Sequence, residues 1–412
     1  GGINNVAIGD HAGTAITTGD NNVAVGKGSL ESLTTASLIT AVGSCALNAN
    51  TSGTENTALG YVALKLNTTG SCNIAIGGGS LDANTEGSSN TAIGRATLTN
   101  NTTGGNNTAF GANSLLDNTT AVGNTAVGTN SLCSNTTGFN NTAVGNCSGN
   151  DVTTGDCNTF IGAFAAYQAT TGNNNTAVGD QALSLMTTAS DNTAVGRSSL
   201  KANTTGTENV AIGANALDAN TEGGYNVAVG NSALGAQTTG ANNVAVGRTA
   251  LAALTTGTRN TVVGGSYALG AGAAITTGYH NVIVGNDAAG TTTEGHNNTV
   301  VGTEALKLNT TGAGHVAIGT KALCSNTTAG FNVAVGREAL KLNTTGANNT
   351  AVGRDTLVCN TTGVGNVAIG SNASICNTTA SANVAVGRCA LKLNQTGASN
   401  TAIGPQAGCQ VT

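Results

Sequence analysis

Hydrophobic and polar residues alternate in short segments that recur at every seventeenth position along most of the chain. Each segment has the form Asn-(Thr/Val)-Ala-(Val/Ile)-Gly, as in Asn22 to Gly26, and we call its last residue the marker glycine. Three residues before it stands Val, Ile or Thr, two before it Ala in 20 of 24 repeats, and one before it an apolar residue. β-Branched residues that alternate with Ala predict one short β-strand per repeat.

The spacing of the marker glycines predicts a solenoid. It is constant from Gly9 to Gly264 and again from Gly285 to Gly404, and the longer step between Gly264 and Gly285 indicates a four-residue insertion. A fixed period of this kind is typical of coils that bury their apolar residues by stacking. The 24 coils and the insertion account for all 412 residues. We therefore predict one continuous repeat region over residues 1–412 without caps, either an excerpt of a longer fibre or a unit that stacks on copies of itself.

A second segment follows each marker glycine, as in Ala63 to Gly70, with Leu four residues after the marker in most coils and Thr-Thr-Gly at its end. Gly and β-branched residues both disfavour a helix. The segment therefore predicts a second short strand, and the fold class is all-β, a parallel β-solenoid or β-roll of 24 coils with two strands and two turns per coil.

Stacked coils turn each repeated residue into a column. Asn stands four residues before the marker in 22 of 24 coils, with Ile39 and His315 as the exceptions. We expect the amides of this Asn column to hydrogen-bond from coil to coil, and the marker glycines to form a bend that excludes a Cβ. The residues predicted to build this structural ladder are Asn5, Asn22, Asn56, Asn73, Asn90, Gly9, Gly26, Gly43 and Gly60.

The Ala residue of each strand suggests self-association. We expect the Val/Ile/Thr columns to face the Leu column inside the coil, with Ala on the opposite side. Replacement of that Ala by larger apolar residues, without added charge, implies that the Ala side is also buried, against another copy of the chain. The interface candidates for this self-association are Ala7, Ala24, Ala41, Ala58, Phe160 and Ile283.

Composition excludes several classes of function. The net charge of −5 and the 8% of charged residues argue against a nucleic-acid partner, and no apolar run is long enough for membrane insertion. No column is acidic, so the paired carboxylates of acid/base catalysis are not expected. We predict no enzyme activity, no catalytic residues, no cofactor and no metal; His280 and His296 with Asp287 remain a weaker alternative as metal ligands.

Cysteines and Asn-Thr-Thr triplets offer possible modifications. Cys359 and Cys376 lie one coil apart at the same position, and Cys147 and Cys157 lie within one coil, so these two pairs are the disulfide candidates. The other cysteines are expected to be free thiols. The triplets, as at Asn67, match the N-glycosylation pattern, although a repeated turn composition is the favoured interpretation.

The strand segments resemble the head repeats of trimeric autotransporter adhesins, through Asn-Val-Ala-Ile-Gly at Asn5 to Gly9, Asn209 to Gly213 and Asn366 to Gly370. Asn141 to Gly145 and Asn343 to Gly346 are similar to repeat arrays of phage and giant-virus fibre proteins. The resemblance implies a left-handed parallel β-roll, three chains around one axis, and an exposed adhesive shaft or head. The adhesin repeat is shorter than the repeat of this chain, which leaves handedness and trimer packing open.

These observations predict a structural or adhesive fibre, extracellular and displayed on a cell or virion surface. Its partners would be further copies of itself and a surface receptor or glycan. One alternative is a single-chain solenoid with a flat ligand-binding face of the ice-binding kind, suggested by the Thr-Thr pairs such as Thr17 and Thr18. Another is a subunit that polymerises end to end through unpaired strand edges.

Overall fold

Each described coil contributes one three-residue β-strand. The computed structural model describes residues 1–265 and 270–411. It comprises two compact units, Gly1–Thr205 and Gly206–Thr412, which are described separately below.

The strands follow one another at the period of the sequence. The first unit contains β1 to β12, at Val6–Ile8, Val23–Val25, Thr40–Val42, Thr57–Leu59, Ile74–Ile76, Thr91–Ile93, Thr108–Phe110, Thr125–Val127, Thr142–Val144, Thr159–Ile161, Thr176–Val178 and Thr193–Val195. The second contains β13 to β24, at Val210–Ile212, Val227–Val229, Val244–Val246, Thr261–Val263, Val282–Val284, Thr299–Val301, Val316–Ile318, Val333–Val335, Thr350–Val352, Val367–Ile369, Val384–Val386 and Thr401–Ile403.

Neighbouring strands pair in parallel and in register within each unit. In the first unit Ala41 lies opposite Ala58, and in the second Ala228 lies opposite Ala245. Equivalent residues of successive coils therefore stack directly on one another. The predicted all-β parallel solenoid, with one coil for each period of the sequence, is confirmed.

The second segment of each coil is not a strand, and that prediction is wrong. Val62 and Leu64 adopt left-handed backbone, with φ of 49° and 53°, so the chain turns instead of extending. The coils nevertheless remain hydrogen-bonded here, because the Leu64 N–H donates to the Ser80 carbonyl at 2.9 Å and the Leu66 N–H to that of Asp82 at 3.0 Å. Left-handed backbone is costly for Leu. Complete burial of the Leu64 side chain offsets that cost.

The core lies between the Ala column and the Leu column. Ala58 and Leu64 are fully buried within the single chain. The two columns face each other, since a Cβ on Gly13, which occupies the Leu column in the first coil, would lie 3.6 Å from the Cβ of Ala7 and 3.8 Å from that of Ala24. The expected arrangement, with Val, Ile and Thr inside and Ala outside, is therefore reversed.

This orientation corrects the predicted trimer interface. Ala24, Ala41, Ala58, Phe160 and Ile283 are at most 1% exposed in one chain, so they have no surface to offer a partner. Ala7 is exposed in the first coil but points in the same inward direction. The Ala column is small because it packs against Leu inside a narrow coil.

Two of the larger residues in the Ala column are compensated by smaller ones in the Leu column. Phe160 replaces Ala where Gly149 and Ala166 replace Leu, and a Cβ on Gly149 would lie 2.8 Å from Phe160 Cδ2. Ile283 likewise faces Gly272, at 3.4 Å from a Cβ built there, and Ala289 takes the Leu position of its own coil. The volume filled per coil is thus kept nearly constant, as a close-packed core requires.

The insertion lies between the marker glycine Gly264 and Ala271. The Ala271 N–H donates to the Gly264 carbonyl at 3.3 Å, which is the turn bond that Ala250 makes to Gly247 in the preceding coil. The insertion therefore follows directly after β16, and the bond from Ala271 to Gly264 closes the turn at its base. Residues 266–269 lie outside the described part of the chain.

Candidate functional site

The Asn column forms a buried hydrogen-bond ladder beside the strands. The Asn56 side-chain oxygen accepts the N–H of Asn73 at 2.9 Å, and its amide nitrogen donates to the Gly70 carbonyl of the next coil at 2.8 Å. In the second unit Asn209 does the same with Asn226 and Gly223. Each side chain thus forms one hydrogen bond with a backbone donor and one with a backbone acceptor of the next coil. Buried polar groups need such partners.

A second Asn column, seven residues after the marker glycine, was not anticipated from the sequence. The Asn67 amide donates to the Asn50 side-chain oxygen at 2.7 Å and to the Gly70 carbonyl at 2.9 Å. Asn67 is fully buried, as are Asn101 and Asn343, which also begin Asn-Thr-Thr triplets. A glycosylated amide nitrogen must be accessible to solvent, so the folded coils exclude sugar at these residues. The recurrence of Asn in these triplets was the signal in the sequence.

His315 takes the place of Asn in the first Asn column and imitates it. Its Nε2 lies 2.7 Å from the Ala329 carbonyl, and its Nδ1 accepts the Asn332 N–H at 3.3 Å. These two contacts require a neutral imidazole with its proton on Nε2. Burial lowers the pKa of His315, although its backbone hydrogen bonds partly oppose this effect.

We predict that acid weakens the second unit through His315. The pKa in the folded chain lies below the ordinary unfolded value of about 6.5, so the unfolded chain binds more protons, and stability falls as the pH drops below that value, by at most about 1.4 kcal/mol per pH unit. Urea unfolding at pH 7.5 and pH 5 should therefore show a smaller acid loss for His315→Asn than for the wild type. His11→Asn, at an exposed histidine, should retain the wild-type loss; equal losses in all three chains would contradict the prediction.

The first and third residues of each strand, which we call the outer strand columns, face solvent. They are apolar residues or Thr, and many remain more than a third exposed. The larger exposed side chains are, in the first unit, Val6, Ile8, Leu59, Ile74, Phe110, Val144 and Ile161, and in the second, Ile212, Val263, Val282, Val284, Val301, Ile318, Ile369 and Ile403. A parallel sheet is ordinarily covered on both faces. Contiguous apolar surface of this kind marks an interaction site.

Some of the charged residues, which lie beyond the strand ends, form ion pairs with one another. Lys307 donates to Glu304 at 2.8 Å and Lys341 to Glu338 at 3.1 Å. The hydrogen bond from Lys307 lowers the pKa of Glu304. Exposed pairs of this kind contribute little to stability.

The three residues considered as metal ligands are not brought together. His280 precedes β17 and Asp287 follows it, so they lie at opposite ends of the strand. Within residues 1–265 and 270–411, no group of three or more His, Cys, Asp and Glu side chains could hold a metal ion. His280 and His296 instead both pack against the ring of Tyr279.

All ten cysteines are free thiols, so neither predicted disulfide is present. Cys147 follows β9 and Cys157 precedes β10, which places them beyond opposite ends of the strand layer. Cys359 and Cys376 do occupy the same position in successive coils. Burial raises the pKa of the Cys359 thiol, and the neighbouring Cys376 adds to the effect. A raised pKa disfavours the thiolate that disulfide formation needs.

The Thr-Thr turn offers only half of the hydroxyls that a flat Thr face would present. The Thr68 hydroxyl donates to the Thr85 carbonyl of the next coil at 3.0 Å, and Thr85 repeats this contact to Thr102. The first Thr of each such pair is therefore bound within the stack. Thr69, the second of its pair, is exposed.

No helix in the described residues combines the length and the hydrophobicity needed to cross a membrane. No protein-family model matches the chain, and a search of curated proteins found no similar sequence.

Proposed function

We propose that the chain is a structural fibre element, extracellular and adhesive, whose copies associate side by side through the outer strand columns into a homotrimer. The observation that carries the proposal is the outward face of the strands in each unit, where the third residue of each strand is apolar and the first is Val, Ile or Thr. It takes over the role that the sequence had suggested for the Ala column. The resemblance to trimeric adhesin and viral fibre repeats supports three copies and a surface location.

The extent of this face suits a stable interface. Two outward residues on each of the twelve strands of one unit give 24 residues, compared with about 20–30 residues and about 800 Å² per partner in a typical interface. Within each unit the columns are also evenly spaced, because neighbouring strands pair in register. A second copy with the same spacing can therefore match the face along its length.

Sedimentation of the full chain at two concentrations tests the proposal. We expect a mass of about 119 kDa, three times 39.7 kDa, that does not depend on concentration. The double variant Val301→Lys/Ile318→Lys places two charges on adjacent coils of the face, and we expect it to sediment near 39.7 kDa, because buried unpaired charges are strongly unfavourable.

Thr311→Lys supplies the matched control. It adds a charge at an exposed turn of the same coil as Ile318, away from the strands, and should leave the mass unchanged. A wild-type mass near 39.7 kDa would contradict the proposal. A mass that rises steadily with concentration would favour end-to-end polymerisation instead.

A further inference from the structure

An aromatic and cationic cluster interrupts the repeat in the second unit. It consists of Tyr279, His280, His296 and Arg259, which stand five or six residues before their marker glycines on three successive coils. In the coils just before it, the residues six before the marker are Gly224 and Ala241. Three rings and a guanidinium on adjacent coils contrast with a chain in which only 2% of residues are aromatic.

The rings hold one another in a fixed arrangement. Tyr279 and His296 stack with ring centroids 4.7 Å apart and planes inclined by 11°, while His280 meets Tyr279 edge-on at 5.2 Å. The Nη1 of Arg259 lies 3.3 Å from His280 Nε2, which accepts its hydrogen when the imidazole is neutral. Exposed side chains that support one another in this way lose less conformational entropy when a ligand binds.

Arg259 has hydrogen-bonding capacity to spare. It is exposed, and it forms no ion pair with any residue in 1–265 or 270–411. A guanidinium carries five N–H donors, of which one points to His280. The nearest acidic residues in the sequence are Asp287, which lies beyond the opposite end of β17, and Glu294. Arg259 can therefore bind an anionic group of a ligand in bidentate geometry.

The Tyr279 side chain is 39% exposed, although His296 of the following coil covers one face of its ring. On the side of the preceding coils, the residues in the same column are Thr258, Ala241 and Gly224, all small. At the strand spacing of about 4.8 Å, these three coils give about 14 Å without a large side chain in this column, beginning at the ring.

We propose that this cluster binds an acidic saccharide, a sugar ring that bears a carboxylate or sulfate group. The C–H face of the sugar packs on the exposed ring of Tyr279, and Arg259 binds the acidic group. The small residues of the preceding coils leave space for further sugar units. The chain's net charge of −5 and the presence of one Arg in the cluster disfavour a nucleic acid. The inference deepens the proposed adhesive function, and the biological role of the binding rests on that function. The binding itself requires only a single chain.

The four histidines allow a direct test by NMR of the imidazole signals in the full chain. We expect methyl glucuronide to shift the His280 and His296 signals and to leave His11 and His315 unchanged. Methyl glucoside, which lacks the acid, should bind about tenfold more weakly, the loss expected for one charge-assisted hydrogen bond.

Variants that introduce residues common at the same position in other coils preserve the fold. Arg259→Asn should reduce glucuronide affinity about tenfold, to the level of the glucoside, and Tyr279→Ser should weaken both sugars. Tyr61→Ser, at an exposed tyrosine of the first unit, should change neither affinity. The proposal is overturned if glucuronide leaves His280 and His296 unshifted, if inorganic sulfate shifts them at the same concentration, or if adenosine monophosphate binds more tightly. These outcomes do not depend on the sedimented mass, so failure of one proposal is distinguishable from failure of the other.

Discussion

Gly60→Ala is expected to destabilise the first unit by about 3 kcal/mol or more. Gly60 has a φ of +145°, a conformation that side chains strongly disfavour, and a Cβ there would lie 2.6 Å from the Gly77 carbonyl oxygen of the next coil. The clash is with backbone that the coil stacking fixes, so relief requires the two coils to separate. Urea unfolding should show a lower midpoint, and hydrogen exchange should accelerate in the coils of Gly60 and Gly77 first, because coils contact only their neighbours.

Gly78→Ala is the matched control in the adjacent coil. Its φ lies outside the left-handed region, and the nearest atom to a Cβ there is the Tyr61 carbonyl oxygen, at 3.9 Å. This variant should unfold at the wild-type midpoint. If both variants behaved alike, close coil stacking would not be the reason for the marker glycines.

Phe160→Ala is expected to cost about 3–5 kcal/mol, the usual loss for a buried aromatic ring. The substitution restores the common residue of the Ala column, so a reading of the repeat alone would predict stabilisation. In the structure Phe160 fills the volume that Gly149 and Ala166 leave empty in the Leu column, and its removal opens a cavity. The free energy of unfolding in urea measures the loss.

Filling that cavity from the opposite side provides the decisive control. Gly149 has a φ of 58°, close to the 49° of Leu132 at the same position in the preceding coil, so Leu fits the backbone. Phe160→Ala/Gly149→Leu should regain most of the lost stability, whereas Gly149→Leu alone should destabilise the chain by overpacking against Phe160. Additive losses would argue against the facing columns.

The period, the strand and its parallel register could be predicted because each residue type recurs at a fixed distance. The inward direction of Ala could not be predicted from the same pattern. Alternation shows that the side chain of Ala24 points to the opposite face of the strand from those of Val23 and Val25. It does not show which of the two faces is turned towards the core. The large Phe160 in the Ala column and the missing side chain of Gly149 in the Leu column indicate the direction, because compensating volumes identify columns that are in contact.

The turn segment around Leu64 could not be predicted for a different reason. Left-handed Leu is rare, and intrinsic propensity gives no indication of it. Only the coil as a whole, with a buried Leu side chain and a bonded backbone, makes it favourable. The sequence grouped His280 with His296 as metal ligands, but the stacking of Tyr279 with His296 and the contact of Arg259 with His280 become visible only when the coils stack.

The Asn ladder gives every coil a polarity. Asn56 offers both its oxygen and its amide N–H to the coil that follows, and Asn67 donates to the coil that precedes it. The two surfaces of a coil are therefore chemically different, one complementary to the other but neither to itself. When the following surface of one coil meets the preceding surface of the next, each buried donor finds an acceptor. If two identical surfaces met, donors would face donors and acceptors would face acceptors. Any extension of such a stack, at either end, therefore keeps all coils in the same orientation.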